Sequence, residues 1–326
     1  MSKIIIGIHG LGNKPPKKVL EKWWKKSIRE GLKAHGLSSF FFKFKLVYWA
    51  DVLHPAPLDL EIKNPKHPLY IKFPYLPATD HHPKIPSKIK QKLLEYLEKQ
   101  LDKLFLNDDM TINFAAVNDL IIRRYFKDLD AYFASNYYDL RDRNRLARDS
   151  IRETLARVLH KYRRKEILLI AHSMGSIIAY DVLCQPNPDI HVNILVTIGS
   201  PLGLPVIISK IATEQKTRSK NGKKLCTPES VLEKWYNLSD LRDRVSLNYD
   251  LSDDYAKNSR RINPIDKVVY NNYKYKGDKN PHKSYGYLRT PEMAEIIHQF
   301  LDQGRTTAGK WLSHLLGRLA QRFWQV

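Results

Sequence analysis

Residues 171–175 read Ala-His-Ser-Met-Gly, a serine with small residues two places before and two places after it. An apolar run, residues 166–171 ("EILLIA"), leads into this polar knot, and a second apolar run with helical spacing, residues 175–184, leads out of it. A core strand that turns at once into a core helix lifts the residue at the seam out of the core. The turn crowds its neighbours, which is why Ala171 and Gly175 have to be small. The Ser173 hydroxyl then stands at the carboxyl end of a strand, in front of helix amides that favour an anion. A serine in that place can also be no more than a helix cap.

Nucleophilic chemistry needs more than the serine. A histidine must take the hydroxyl proton and a carboxylate must orient the histidine. Three histidines stand late in the chain: His282, His298 and His314. His298 and His314 fall inside amphipathic patterns, whereas His282 sits in "GDKNPHKSYGYL", a loop between an expected strand and an expected helix. For the acid, "WYNLSDLRDRVS" (235–246) ends a strand and offers Asp240 and Asp243, each of which could equally be stabilising a turn. Asp253, Asp254 and Asp266 are further off. A tetrahedral oxyanion needs two amide donors. His9-Gly10-Leu11-Gly12 closes the first expected strand, so the amides of Leu11 and Met174 are the natural pair. His9, Gly10, Gly12 and His172 border the same point and are the candidate substrate-binding residues. No metal-ligand spacing and no cofactor motif is found, so neither a metal nor a cofactor is expected.

The elements that would position these groups alternate. Strands are expected at 3–12, 39–52, 166–171, 191–205, 232–240 and 265–277, and helices at 17–36, 148–165, 175–184, 291–303 and 309–324. This alternation predicts a parallel α/β sheet in one domain spanning 1–326. Residues 53–135 interrupt it. Eight of the eighteen prolines lie in 53–87, and amphipathic helices are expected at 87–106 and 118–135. We expect an inserted cap here, with 53–87 as a lid. The basic stretch 206–230 is expected to be a loop.

The 326 residues are 43% hydrophobic, enough for one large core. Lys and Arg outnumber Asp and Glu 55 to 34, a net charge of +21, which suits an anionic membrane surface. Nucleic acid is not indicated, since no recognition motif or zinc spacing is present and the basic residues are spread over many helix faces. Cys184 and Cys226 make no disulfide framework. With no signal peptide and no apolar run of membrane-spanning length, a cytoplasmic protein is expected, with a peripheral membrane position as the variant. The last segment, 306–326, has an apolar helical stripe with tryptophans and basic flanks, which either docks on the body or lies in a membrane interface.

"HGLG", "AHSMGS", "TIGSPLGLP", "WYNLSDLRDRV" and "NPHKSYGYL", in that order, resemble an α/β-hydrolase-fold serine esterase or lipase, especially the bacterial branch similar to lipases and inositol deacylases. The resemblance covers roughly residues 1–50 and 148–303. It implies Ser173 as nucleophile, His282 as base, Asp243 rather than Asp240 as acid, Leu11 and Met174 as oxyanion amides, and a small-molecule or lipid ester as substrate. Ala171 stands where the pattern often has glycine. No room precedes residue 3 for the two leading strands of larger hydrolases, so a trimmed, mostly parallel sheet of about six strands is expected. The alternatives are an acyltransferase or thioesterase using the same residues, or a basic, non-enzymatic binding module on a hydrolase scaffold.

Overall fold

Apolar runs without polar alternation belong in strands buried on both faces, and the two purest runs lie side by side. In the computed structural model, which describes residues 2–37, 41–78, 129, 132–133, 136–216, 225–246 and 249–303, Lys3–Ile8 (β1) pairs in parallel with Glu166–His172 (β3), Ile5 opposite Leu168 and Ile8 opposite Ala171. Phe44–Val47 (β2) flanks β1 on its other side. Beyond β3 follow Val192–Ile198 (β4), Val231–Ser239 (β5) and Pro264–Val268 (β6). The sheet order is β6-β5-β4-β3-β1-β2, and every pairing in it is parallel. The fold is α/β, with a hydrolase-like six-stranded sheet between helices.

Residues alternate between two cores. Ile4, Ile6 and Ile8 face one, built with the helices Ala147–Lys161 (α2), Met174–Leu183 (α3) and Pro205–Lys216 (α4). Ile5, Leu168 and Ile170 face the other, against Lys17–Ala34 (α1) and Pro291–Asp302 (α5). Trp24 and Ile28 of α1 and Ile297 and Phe300 of α5 are almost wholly buried there. The start of α5 is set by its sequence: Thr290 caps the Met293 amide, and Pro291 fills a position that has no use for an N–H.

The sheet order fixes where a ligand can sit. The chain leaves β1 towards β2 on one side and returns as β3 on the other. The loops after β1 and β3 therefore part at their carboxyl ends and open a crevice. Both the His9–Gly12 loop and Ser173 lie at that crevice.

Three expectations need correcting. The aromatic run 39–52 is strand only at Phe44–Val47; Ala50–Leu53 is already a helical turn. The expected strand 265–277 stops at Val268, and Lys274–Tyr275 instead forms a small hairpin with Asp278–Lys279. The stretch after 205 is a helix as far as Lys216, not a loop: Pro205 opens it, and Ile207, Ile208 and Ile211 bury one face, outweighing the basic residues downstream. Of the expected insertion, residues 54–78 contain no helix, and their far end is tied to the body by Tyr273 Oη on the Pro74 carbonyl and Arg289 Nη1 on that of Leu76 (3.0 Å). The expected helix 87–106, most of 118–135 and the segment 306–326 lie outside the described residues. Among the described residues no helix is long and apolar enough to cross a membrane.

Candidate active site

Ser173 takes φ +55° and ψ −130° between β3 and α3. A non-glycine residue at positive φ stores about 1–3 kcal/mol of strain, so its surroundings must hold it there. The Ser173 amide donates to the carbonyl of Ile198, the last residue of β4 (3.1 Å). Its own carbonyl accepts from the amide (2.8 Å) and hydroxyl (2.5 Å) of Ser176. The helix that follows starts hard against β1: a Cβ on Gly175 would stand 2.7 Å from the His9 carbonyl oxygen. Gly10 lies on the other side of the serine, where a Cβ would come within 2.6 Å of the Ser173 Cβ.

The loop after β1 is pinned by His9. Its ring stacks on Trp49 (4.9 Å between centroids), and Trp49 Nε1 donates to the His9 carbonyl (2.9 Å). The Trp49 amide donates to His9 Nε2 (3.1 Å), so the ring proton is on Nδ1, which donates to the Gly10 carbonyl (2.9 Å). Burial first, and the Lys14 charge second, hold the His9 pKa well below that of a free imidazole. His9 is therefore a neutral wedge between β1 and β2. Gly12 follows at φ +77°, and Lys14 Nζ closes the loop by donating to the carbonyls of Leu11 and Gly12. The Met174 side chain is buried, and its amide is in the first turn of α3, where an N–H has no acceptor within its own helix.

His282 comes from the loop after β6. Its Nε2 lies 3.0 Å from Ser173 Oγ, and its Nδ1 2.9 Å and 3.0 Å from the two carboxylate oxygens of Asp243. Side chains hold the loop. Asn271 Nδ2 donates to the carbonyls of Pro281 (2.6 Å) and Lys283 (2.8 Å), Asn280 Oδ1 accepts from the His282 amide (3.2 Å), and His172 Nε2 donates to the His282 carbonyl (2.7 Å). His172 is buried beside the His282 ring, and burial, then the neighbouring His282, push its pKa well below the usual value.

The two aspartates after β5 separate by their partners. Asp240 is bound by the Arg242 guanidinium (2.5 and 2.9 Å) and by the amides of Arg242 and Asn271. Asp243 faces His282 and also accepts from the Val245 amide (3.0 Å) and the Tyr287 hydroxyl (2.8 Å). Burial alone would raise the Asp243 carboxyl, but the His282 charge and these hydrogen bonds outweigh it, so the pKa is lowered. Gly199, at φ +51° after β4, leaves the room the pair needs: a Cβ there would stand 2.8 Å from Asp243 Oδ2 and 3.2 Å from His282 Nδ1.

A cavity of about 170 Å³ opens beside Ser173 and His282. His9, Leu11 and His172 border it, with Leu20 and Trp24 of α1 at its apolar side. Gly10 touches the serine without lining the cavity. Among the described residues no group of three or more His, Cys, Asp or Glu is placed to hold a metal. With Nδ1–H given to Asp243, His282 presents a bare Nε2 to the serine hydroxyl, the arrangement that can take its proton. Sequence reasoning missed Tyr287, Asn271 and Gly199. Only Gly199 left a signal, as the glycine ending the strand in "TIGSP".

The parallel sheet, its switch point and a strained serine between strand and helix make this an α/β-hydrolase-like architecture. In agreement, a family model described as PGAP1-like alpha/beta domain matches residues 107–224. The match takes in Ser173 and ends before Asp243 and His282. No curated protein and no solved structure matches the chain.

Proposed function

We propose that the protein is a serine hydrolase that cleaves carboxylic esters through an acyl-enzyme. The observation that carries this reading is the continuous line Ser173 Oγ–His282 Nε2 (3.0 Å) and His282 Nδ1–Asp243 (2.9 Å), which ends in a buried carboxylate. His282 takes the Ser173 proton as the hydroxyl attacks the ester carbonyl. Asp243 holds the ring in the Nδ1–H tautomer and stabilises the imidazolium that forms. The oxyanion is received by the amides of Leu11 and Met174, aided by the N-terminus of α3. His282 then protonates the leaving alcohol, and water, activated by the same histidine, releases the acid. Asp240, held by Arg242 and Asn271, shapes the acid loop and takes no part in proton transfer. The apolar side of the cavity receives the acyl chain, so a lipid-like ester suits the site.

A panel of 4-nitrophenyl esters of graded acyl length tests the reading. Turnover is expected from the wild type and none above background from Ser173→Ala. A folded wild-type protein that hydrolyses no member of the panel, or a Ser173→Ala variant that keeps its rate, would overturn it.

A further inference from the structure

Among the described residues no aspartate or glutamate lines the cavity beside Ser173, yet two lysines do, Lys14 and Lys283. Lys14 is occupied with the carbonyls of the His9–Gly12 loop. Lys283 is different. It follows His282 directly, is half-buried, and carries its ammonium 5.3 Å from the centre of the Tyr285 ring. No ion pair to it exists among the described residues, and burial, with no opposing charge to offset it, lowers its pKa to about 8. A partly buried ammonium without a carboxylate is costly. Asp243 is already committed to the far side of the His282 ring. An anion brought by the substrate would relieve that penalty.

We infer that the ester cleaved at this site carries an anionic group, a carboxylate or a phosphate, which pairs with Lys283 while its apolar part lies against Leu20 and Trp24. The inference rests on the hydrolase reading for its chemistry, but the binding it requires can be measured without turnover. Lys283 then selects the substrate by the charge it carries. A hydrogen-bonded charge pair in a partly desolvated site contributes enough to change affinity by about one to two orders of magnitude.

Two measurements test it. The first compares kcat/KM for 4-nitrophenyl hemiglutarate and 4-nitrophenyl hexanoate, which differ in the terminal carboxylate. Wild type is expected to prefer the anionic ester. The preference should fall at least tenfold in Lys283→Met, survive in Lys283→Arg, and decline in wild type as pH rises through about 8 and Lys283 loses its proton. A preference that is absent in wild type, or unchanged in Lys283→Met, overturns the inference. The second uses Ser173→Ala protein and calorimetric titration with hexyl phosphate, beside inorganic phosphate as a free anion without a chain. Hexyl phosphate should bind the tighter, and its binding should be lost when Lys283→Met is added and kept with Lys283→Arg. Equal binding of the two phosphates, or binding indifferent to Lys283, overturns the inference. If wild type hydrolyses neither ester, the hydrolase reading fails, and the titration still decides whether Lys283 holds an anion.

Discussion

The serine and the histidine of the site are held in opposite ways. The serine end, residues 171–176, is covalent architecture: a strand buried on both faces, a turn at positive φ, and a helix whose Gly175 abuts the end of β1. The histidine end, residues 271–287, contains only a two-strand hairpin and one helical turn. Tyr273, Tyr285 and Tyr287 anchor its two ends in the core, but the backbone around His282 itself is held by Asn271, Asn280 and His172 through a few hydrogen bonds. The serine cannot move without disturbing the core, whereas the histidine can be misplaced while the core stays intact. The reacting side chains apart, substitutions at the first end should therefore be read in stability and those at the second in turnover.

The largest effects belong to the reacting groups themselves. Ser173→Ala and His282→Ala should each lower kcat by about 10⁶, and the double variant should be no worse, because groups that act as a unit do not lose rate additively. Additive losses in steady-state kinetics would show that the two do not work together. Next come the aspartates. Asp243→Asn should lower kcat by about 10³- to 10⁴-fold, since the amide favours the wrong histidine tautomer. Asp240→Asn, which loosens the Arg242 and Asn271 contacts, should cost thermal stability more than rate. Matched kinetics and melting curves check this, and equal losses of rate in both would remove the distinction drawn between them.

Smaller effects are expected from the groups that position the histidine. Asn271→Ala and His172→Phe should lower kcat about 10- to 100-fold, while His172→Gln, which keeps a donor, should recover part of the loss. By contrast Gly175→Ala should destabilise the fold by about 1–3 kcal/mol, because its Cβ meets backbone that cannot yield. A Gly175→Ala protein with wild-type melting and poor turnover would invert the rule.

The smallest effect is on acid stability. His9 and His172 have pKa values below that of free imidazole in the folded state. As pH falls below about 6.5, the unfolded chain takes up protons that the folded chain refuses, so acid favours unfolding. Each ring contributes at most about 1.4 kcal/mol per pH unit in that window. The Asp243 carboxyl, lowered in the fold, adds a further loss below about pH 4. Urea midpoints at pH 7.5 and 5.5 should fall in wild type, and fall less in His172→Gln.

The same contrast governs what could be read from the sequence. The serine end is local: Ala171, Ser173 and Gly175 lie within five residues, between two apolar runs whose period gives β3 and α3 directly. The strands β1, β3 and β4 were legible for the same reason. The histidine end is made of distant parts. His282 and the two aspartates could be chosen by chain order and by lying in loops, but nothing in the residues alone distinguished Asp243 from Asp240. That difference depends on Arg242 and Asn271 closing on one carboxylate and Tyr287 on the other. Nor could the sequence tell that His172 holds the His282 loop, since the two meet only when β3 and the loop after β6 are brought together across 110 positions. Strand ends were misjudged where aromatic residues run past the sheet, as at Trp49, whose ring is used to wedge His9 rather than to extend β2.

If Ser173 is a nucleophile activated by His282 and Asp243, it should react covalently with an electrophile that mimics the ester. The most direct measurement is the intact mass of the protein after treatment with a fluorophosphonate, followed by peptide mapping. A single adduct is expected on the peptide containing Ser173, absent from Ser173→Ala and formed far more slowly in His282→Ala and Asp243→Asn. No adduct on folded wild-type protein, or an adduct on another residue that persists in Ser173→Ala, would contradict it.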